Sequence, residues 1–295
     1  MTGNSTTIPL IVIVGPTASG KTSLAIKLAK KYNGEIICAD SRSVYKGMDI
    51  GTAKPSQKEQ NGVPHWGLDL IEPSEYYSVA DFKKYADIKI KEIRSRGCIP
   101  FLVGGTGLYV DSVIFDYKFG PIADKNMRTK LQHMQIEELY NYCIINNISL
   151  PENYKNKRYV IRNIERNGIQ TKKNENTINN CIIVGITTDK DTLSKRIVER
   201  ADQIFDAGVI DEARLLGDNY GWDCEAMKSN IYPLVRQYID KNISFNDMKT
   251  RFIILDKRLS KRQMTWLRRN KFIHWLPLSD ASIYLEDLLA INEKS

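Results

Sequence analysis

Four apolar runs, Ile8 to Val14, Glu35 to Ala39, Pro100 to Val103 and Ile182 to Ile186, are continuous rather than alternating and rich in β-branched residues. Side chains along a strand point to opposite faces in turn, so an unbroken apolar run predicts a strand covered on both sides, as in a parallel sheet. Between the first three runs the hydrophobic period lengthens to that of a helix. The segment from Ser78 shows this best. Ser78 and Asp81 have the spacing of a capping box, Phe82, Ala86, Ile90 and Ile93 recur at helical intervals, and Gly97 stands where a helix would stop. Strands alternating with helices predict an α/β fold built on a doubly wound parallel sheet.

From about Tyr117 to Asn180 the strand pattern vanishes, polar and charged residues rise, and two helical stretches are expected, Lys125 to Asn146 and Tyr154 to Asn167. Strand character returns at Cys181. The expected organisation is a core of residues 1-116 and 181-295 interrupted by a small inserted helical domain at 117-180. The stretch KKNENTINN, Lys172 to Asn180, reads as a flexible loop. The remainder of the chain reads as helical, with a long amphipathic stretch from Ser244 to about Asn270.

At 295 residues the chain is near the upper limit of what one core serves. Its formal net charge of +8 favours a polyanionic partner such as nucleic acid, although a merely basic surface remains the plain alternative. The five cysteines stand far apart with no CxxC pair, which argues against a disulfide framework and a zinc site and suits a reducing cytoplasm. His65, His133 and His274 are equally scattered. The run Ile8 to Val14 is too short to span a membrane, and no membrane association is expected.

Candidate chemistry begins at Gly15-Pro16-Thr17-Ala18-Ser19-Gly20-Lys21-Thr22, which satisfies GxxxxGK[ST] directly after a strand and directly before a helix. In that setting glycines let backbone N–H groups converge on phosphate oxygens and the helix N-terminus contributes its positive end. Lys21 neutralises charge, and the Thr22 hydroxyl is placed to ligate Mg²⁺. The expected fold is thus P-loop NTPase-like. A phosphate loop names the group held and leaves the reaction open.

The strand at Glu35 runs into Asp40-Ser41-Arg42-Ser43. Ligands of an open parallel sheet bind beyond the carboxyl ends of its strands, so Asp40 is expected beside the phosphate loop, as metal ligand, lysine partner or general base. A turn cap is the plain alternative. The strand ending at Val103 leads into Gly104-Gly105-Thr106-Gly107, where glycines permit close backbone approach, to a ligand or to packing partners. Gly51-Thr52-Ala53-Lys54-Pro55 is a further small-residue loop with no role assigned. On the late helix Leu255, Leu259, Arg262 and Trp266 share one stripe. This predicts a core-facing Arg262, which would be costly without an anion and so becomes a second clamp on the diphosphate.

Taken together these stretches resemble the bacterial tRNA dimethylallyltransferases, also called tRNA isopentenyltransferases. The resemblance rests on GPTASGKT, on DSRSVYKGMDIGTAKP at Asp40 to Pro55, on YSVADF at Tyr77 to Phe82 and on LVGGTGLY at Leu102 to Tyr109. It extends to Ala123-Asp124 with Arg128, to R-x-I-E at Arg162 to Glu165, and to KRQMTWLRR at Lys261 to Arg269. Ile231-Tyr232-Pro233 and the run KNKRYVI depart from the family pattern.

The resemblance implies that the loop holds dimethylallyl diphosphate and that the acceptor is the exocyclic amine of the adenosine 3′ of the anticodon, in tRNAs reading codons that begin with U. It implies Asp40 as general base, Thr22 acting with Mg²⁺, and Lys21 with an arginine of the KRQMTWLRR segment stabilising the leaving diphosphate. It also implies that Asp40, Ser41, Arg42, Ser43, Thr106, Arg128 and the run Arg158, Tyr159, Val160, Ile161 and Arg162 face the tRNA anticodon arm. A monomer is expected. Three other readings share the phosphate loop: a small-molecule kinase, a prenyltransferase acting on free adenine nucleotides, and a nucleotide-gated RNA-binding protein.

Overall fold

The computed structural model describes residues 8–120, 124–169, 171–229 and 231–292; the polar start MTGNSTT and Ala123 lie outside them. In chain order the first elements are β1 (Leu10–Val14), α1 (Lys21–Lys31), β2 (Gly34–Cys38), α2 (Gln57–Gln60) and β3 (His65–Trp66). Then come α3 (Val79–Ser95), β4 (Ile99–Gly104), α4 (Gly107–Ile114), α5 (Lys125–His133), α6 (Ile136–Ile145) and α7 (Lys157–Glu165). The chain closes with β5 (Cys181–Thr187), α8 (Lys190–Asp206), α9 (Val209–Tyr220), α10 (Tyr232–Ile239), α11 (Phe245–Leu267), β6 (His274–Pro277) and α12 (Leu278–Asn292).

The six strands pair in parallel in the order β3-β2-β4-β1-β5-β6, with β1 registered by Val12 against Leu102 on one side and Ile183 on the other. All five residues of β1 are buried, which is why its sequence is apolar without alternation. One face of the sheet offers Ile11, Ile13, Ile36, Phe101, Val103, Val184 and Ile186 to Leu24, Leu28, Leu285 and Leu289 of α1 and α12. Because every strand runs the same way, the carboxyl ends of β1, β2 and β4 share one rim.

The chain divides into two compact units, one of residues 1–114 with 177–295, the other Phe115–Asn176. In the second unit α5, α6 and α7 pack on Leu131, Leu139, Cys143, Val160, Ile161 and Ile164. Three details differ from the sequence expectation. The helix expected over Lys125 to Asn146 is two, parted at Met134 and Gln135, where Gln135 starts α6 with a capping box. The expected helix from Tyr154 begins at Lys157, capped by Asn156. The chain after Thr187 is not wholly helical, because His274–Pro277 adds a short, partly exposed edge strand to β5. The capping boxes of Ser78 with Asp81 and of Ser244 with Asp247 are both present.

Candidate active site

Gly20, with φ of 87°, turns the chain into α1, and positive φ is a conformation glycine adopts without cost. The first-turn N–H groups of α1, from Lys21 on, have no carbonyl partner within the helix and point into the loop. Thr17 to Thr22 line a cleft of about 1410 Å³, together with Asp40, Ser41, Arg42, Ser43, Thr106 and Arg262. Gly15 and Pro16 are buried beneath it. The Pro16 carbonyl accepts from the Ser19 N–H at 3.3 Å and from Lys21 Nζ at 3.1 Å, so these two residues shape the loop from below. Thr17 directs its N–H away from the loop, to Gln263 Oε1 at 2.8 Å. Ser19 Oγ is fully buried without a hydrogen-bond partner among the described residues.

Lys21 is held well below its ordinary value, at about 8. Burial is the main cause. Asp40 opposes it, raising the value, and Arg200 adds to it as a second cation nearby. The Asp40 carboxylate therefore acts on the ammonium of the phosphate loop from the end of β2, two strands from β1 along the same rim. Asp40 Oδ1 accepts the Arg42 N–H at 2.8 Å, a turn-capping bond that fixes the carboxylate and leaves Oδ2 as the oxygen that can take a proton. The cap reading and the site reading are compatible. Thr106 bonds back across the rim, its hydroxyl accepting the Ser41 N–H at 3.1 Å and its own N–H reaching the Ala39 carbonyl at 3.2 Å. Burial and Asp40 push the Cys38 thiol in the same cleft up to about 12, so it is no nucleophile at neutral pH.

Arg262 is placed differently from expectation. The buried positions of α11 are Met248, Phe252, Asp256, Ser260 and Leu267, whereas Leu255 and Leu259 are half-buried and Arg262 is exposed, reaching the cleft from its edge. The semi-buried guanidinium beside the loop is Arg200 of α8. Its Nη1 donates to Thr17 Oγ1 and to Asp256 Oδ2 at 3.0 Å, and its Nη2 approaches the Thr52 carbonyl at 3.4 Å. Asp256 is 2% exposed, so the pair is desolvated on one side. Arg200 escaped the sequence reading because nothing around it in KRIVER marks a motif.

The glycines after β4 serve packing. A Cβ on Gly105 would lie 2.4 Å from Gln263 Nε2 and one on Gly107 2.1 Å from Trp266 Cδ1. Trp266 is fixed in turn by donating Nε1–H to Asp111 at 2.7 Å. The KRQMTW segment thus lies directly on the glycine turn, and through Gln263 it also holds the phosphate loop.

In the second unit Arg128 forms a two-pronged pair with Glu165, at 2.5 and 2.7 Å, and Arg162 joins it at 3.1 Å. Arg158 and Tyr159 are exposed. Val160 and Ile161, expected to face RNA, are at 0% and 6% exposure core residues of that unit. Ser43 is also buried, though it borders the cleft.

The family model described as IPP transferase matches residues 43–270, and one described as isopentenyl transferase matches residues 8–70. A tRNA dimethylallyltransferase of Anoxybacillus flavithermus is 37% identical over 287 residues, covering 93% of this chain and 92% of the relative. That of Bacillus subtilis is 35% identical, covering 94% and 93%. Among solved structures, the full-length tRNA isopentenylpyrophosphate transferase of Bacillus halodurans superposes with a TM-score of 0.73 at 36% identity, covering 97% of this chain and 98% of its own. A eukaryotic dimethylallyltransferase acting on tRNA shares the fold, with a TM-score of 0.75 at 22% identity.

Proposed function

We propose, from the premise that the chain belongs to the IPP transferase family of tRNA dimethylallyltransferases, that its cleft moves a dimethylallyl group from dimethylallyl diphosphate to the exocyclic amine of an adenosine in tRNA. The reaction is prenylation of tRNA, and the kinase and free-nucleotide readings are not favoured by these relatives. The finer assignment places the acceptor 3′ of the anticodon in tRNAs that read codons beginning with U. That finer assignment rests on the family resemblance; the prenyl-transfer reading is carried by the meeting, in one cleft, of the Asp40 carboxylate with the phosphate loop, close enough for Asp40 to act on the Lys21 ammonium.

The amine of adenine is conjugated into its ring and is a poor nucleophile. As it attacks the first carbon of the dimethylallyl group, the carbon–oxygen bond to diphosphate breaks and the amine loses a proton to Asp40. A positioned base of this kind contributes about two to four orders of magnitude. Negative charge grows on the departing diphosphate, and the first-turn N–H groups of α1, Lys21, Arg200 and Arg262, which line the same cleft, are the groups proposed to stabilise it. The adenine must leave its stack to reach the cleft, at a cost of a few kcal/mol. Ser41, Arg42 and Thr106 at the rim, with Arg128, Arg158, Tyr159 and Arg162 of the inserted unit, are proposed to repay that cost. In this reading the segment 117-180 is the tRNA-binding domain and the rest the catalytic core.

Mg²⁺ fits the site. Thr22 and Asp40 offer oxygen donors to the cleft, and among the described residues no group of three or more His, Cys, Asp or Glu could hold a metal. Thr22 and Asp40 would hold such a cation beside phosphate oxygens, and it would supply neutralisation of diphosphate charge. The enzyme is proposed to work as a monomer in the cytoplasm; among the described residues no helix is long and apolar enough to cross a membrane.

The test is incubation with labelled dimethylallyl diphosphate and unmodified tRNA. Label in tRNA is the expected result. Label on free AMP, or conversion of ATP to ADP without tRNA, would replace this reading with one of its rivals.

A further inference from the structure

The loop Gly51-Thr52-Ala53-Lys54-Pro55 borders the same cleft, and its first end is held from outside by one carboxylate. Glu212 of α9 accepts three consecutive backbone N–H groups, those of Asp49 at 2.8 Å, Ile50 at 2.6 Å and Gly51 at 2.9 Å. Successive N–H groups converging on one anion form a nest, and here the anion is a side chain of the protein itself. A fourth donor, Tyr232 Oη, reaches the same carboxylate at 2.8 Å. A Cβ on Gly51 would stand 2.6 Å from that tyrosine oxygen, so the loop can descend onto Glu212 only with glycine at this position. The far end is pinned by Lys54, whose buried ammonium donates to Asp49 at 2.8 Å, Asp69 at 2.6 Å and the Tyr45 carbonyl at 2.5 Å. Between these two anchors Thr52 presents its carbonyl to Arg200, the guanidinium that also holds Thr17 of the phosphate loop.

We propose that Glu212 is a positioning residue for the prenyl donor: by gathering the N–H groups of Asp49 to Gly51 it sets the loop that orients Arg200 against the diphosphate cradle. The claim rests on the donor reading above. Glu212 touches no reacting atom, and its effect passes through Thr52 and Arg200. A carboxylate has two oxygens for four donors. Glutamine at the same place has one oxygen, and its NH₂ group faces at least one of the N–H groups that the carboxylate accepts. The loop must then shift, and a misplacement of about 1 Å in a positioning group costs on the order of a hundredfold in rate.

The experiment is titration of wild type, Glu212→Gln, Glu212→Asp and Tyr232→Phe with inorganic pyrophosphate and with dimethylallyl diphosphate, alongside tRNA binding and thermal melting. Glu212→Gln is expected to weaken both diphosphates by about tenfold or more, the order of one charge-assisted hydrogen bond from Arg200. Its affinity for tRNA stays within twofold of wild type. Glu212→Asp, which keeps the charge, recovers part of the loss, and Tyr232→Phe, which leaves the three N–H bonds intact, binds as wild type. A folded Glu212→Gln with unchanged diphosphate affinity overturns the inference, as does equal weakening of donor and tRNA. Should Glu212→Gln fail to fold, Glu212→Asp decides by the same criterion. Failure of wild type to bind either diphosphate would instead sink the donor reading on which this rests.

Discussion

Lys21 offers a prediction in which two signs must come out opposite. In the free protein its ammonium titrates at about 8 because burial and Arg200 outweigh the help from Asp40. A diphosphate in the loop places negative charge beside Nζ and returns the pKa toward its ordinary range, so binding takes up a proton wherever the free lysine is neutral. Dimethylallyl diphosphate adds no pH dependence of its own there, since the last proton of a phosphate monoester leaves near pH ~6, whereas inorganic pyrophosphate would still titrate within that window. With a pKa of about 8, most of the protein is competent at pH 7 and roughly one thirtieth at pH 9.5. Affinity for dimethylallyl diphosphate should therefore fall about thirtyfold across that window, ~2 kcal/mol.

Stability moves the other way. Unfolded, the lysine keeps its ordinary 10.5, so between about 8 and 10.5 the unfolded chain holds more protons, and this residue's contribution to stability rises with pH. Calorimetric titration at half-unit steps, in two buffers of different ionisation enthalpy, reads affinity and proton uptake together. Asp40→Asn removes the one influence that raises the value and should move the midpoint to lower pH; Lys21→Met should abolish the dependence. A flat affinity from pH 7 to 9.5 without proton uptake would refute the electrostatic picture of the cradle.

Arg200→Ala should raise the donor KM and also lower the melting temperature, because it removes the guanidinium paired with the buried Asp256 carboxylate. An unchanged melting curve would remove Arg200 from the structural account. Gly107→Ala should destabilise by about 1–3 kcal/mol in urea unfolding, since its methyl would overlap Trp266, and a neutral result would refute that packing. Chelation with EDTA should stop transfer and added Mg²⁺ restore it, whereas full turnover in EDTA would take the metal out of the mechanism.

The four central strands were legible because burial on both faces writes an unbroken apolar run, and the phosphate loop because its spacing sits between a strand and a helix. His65–Trp66 and His274–Pro277 were not, because a two- or four-residue edge strand buries too little to mark its sequence. The α11 stripe misled for a physical reason. Two of its buried positions are polar, Asp256 paired with Arg200 and Ser260, and a reading that equates buried with apolar passes over both and takes the next row of leucines instead. Arg200 was invisible because its partners Thr17, Thr52 and Asp256 are 183, 148 and 56 residues away. Glu212 escaped for the same reason, lying 161 to 163 residues from the N–H groups it holds.

Mass spectrometry of nucleosides from unmodified tRNA, after incubation with dimethylallyl diphosphate and either wild type or Asp40→Asn, addresses the shared cleft most directly. Wild type should yield adenosine heavier by one dimethylallyl unit. Asp40→Asn, still binding pyrophosphate, should yield at least a hundredfold less. Equal product from both proteins would mean that the carboxylate beside Lys21 takes no part in the transfer.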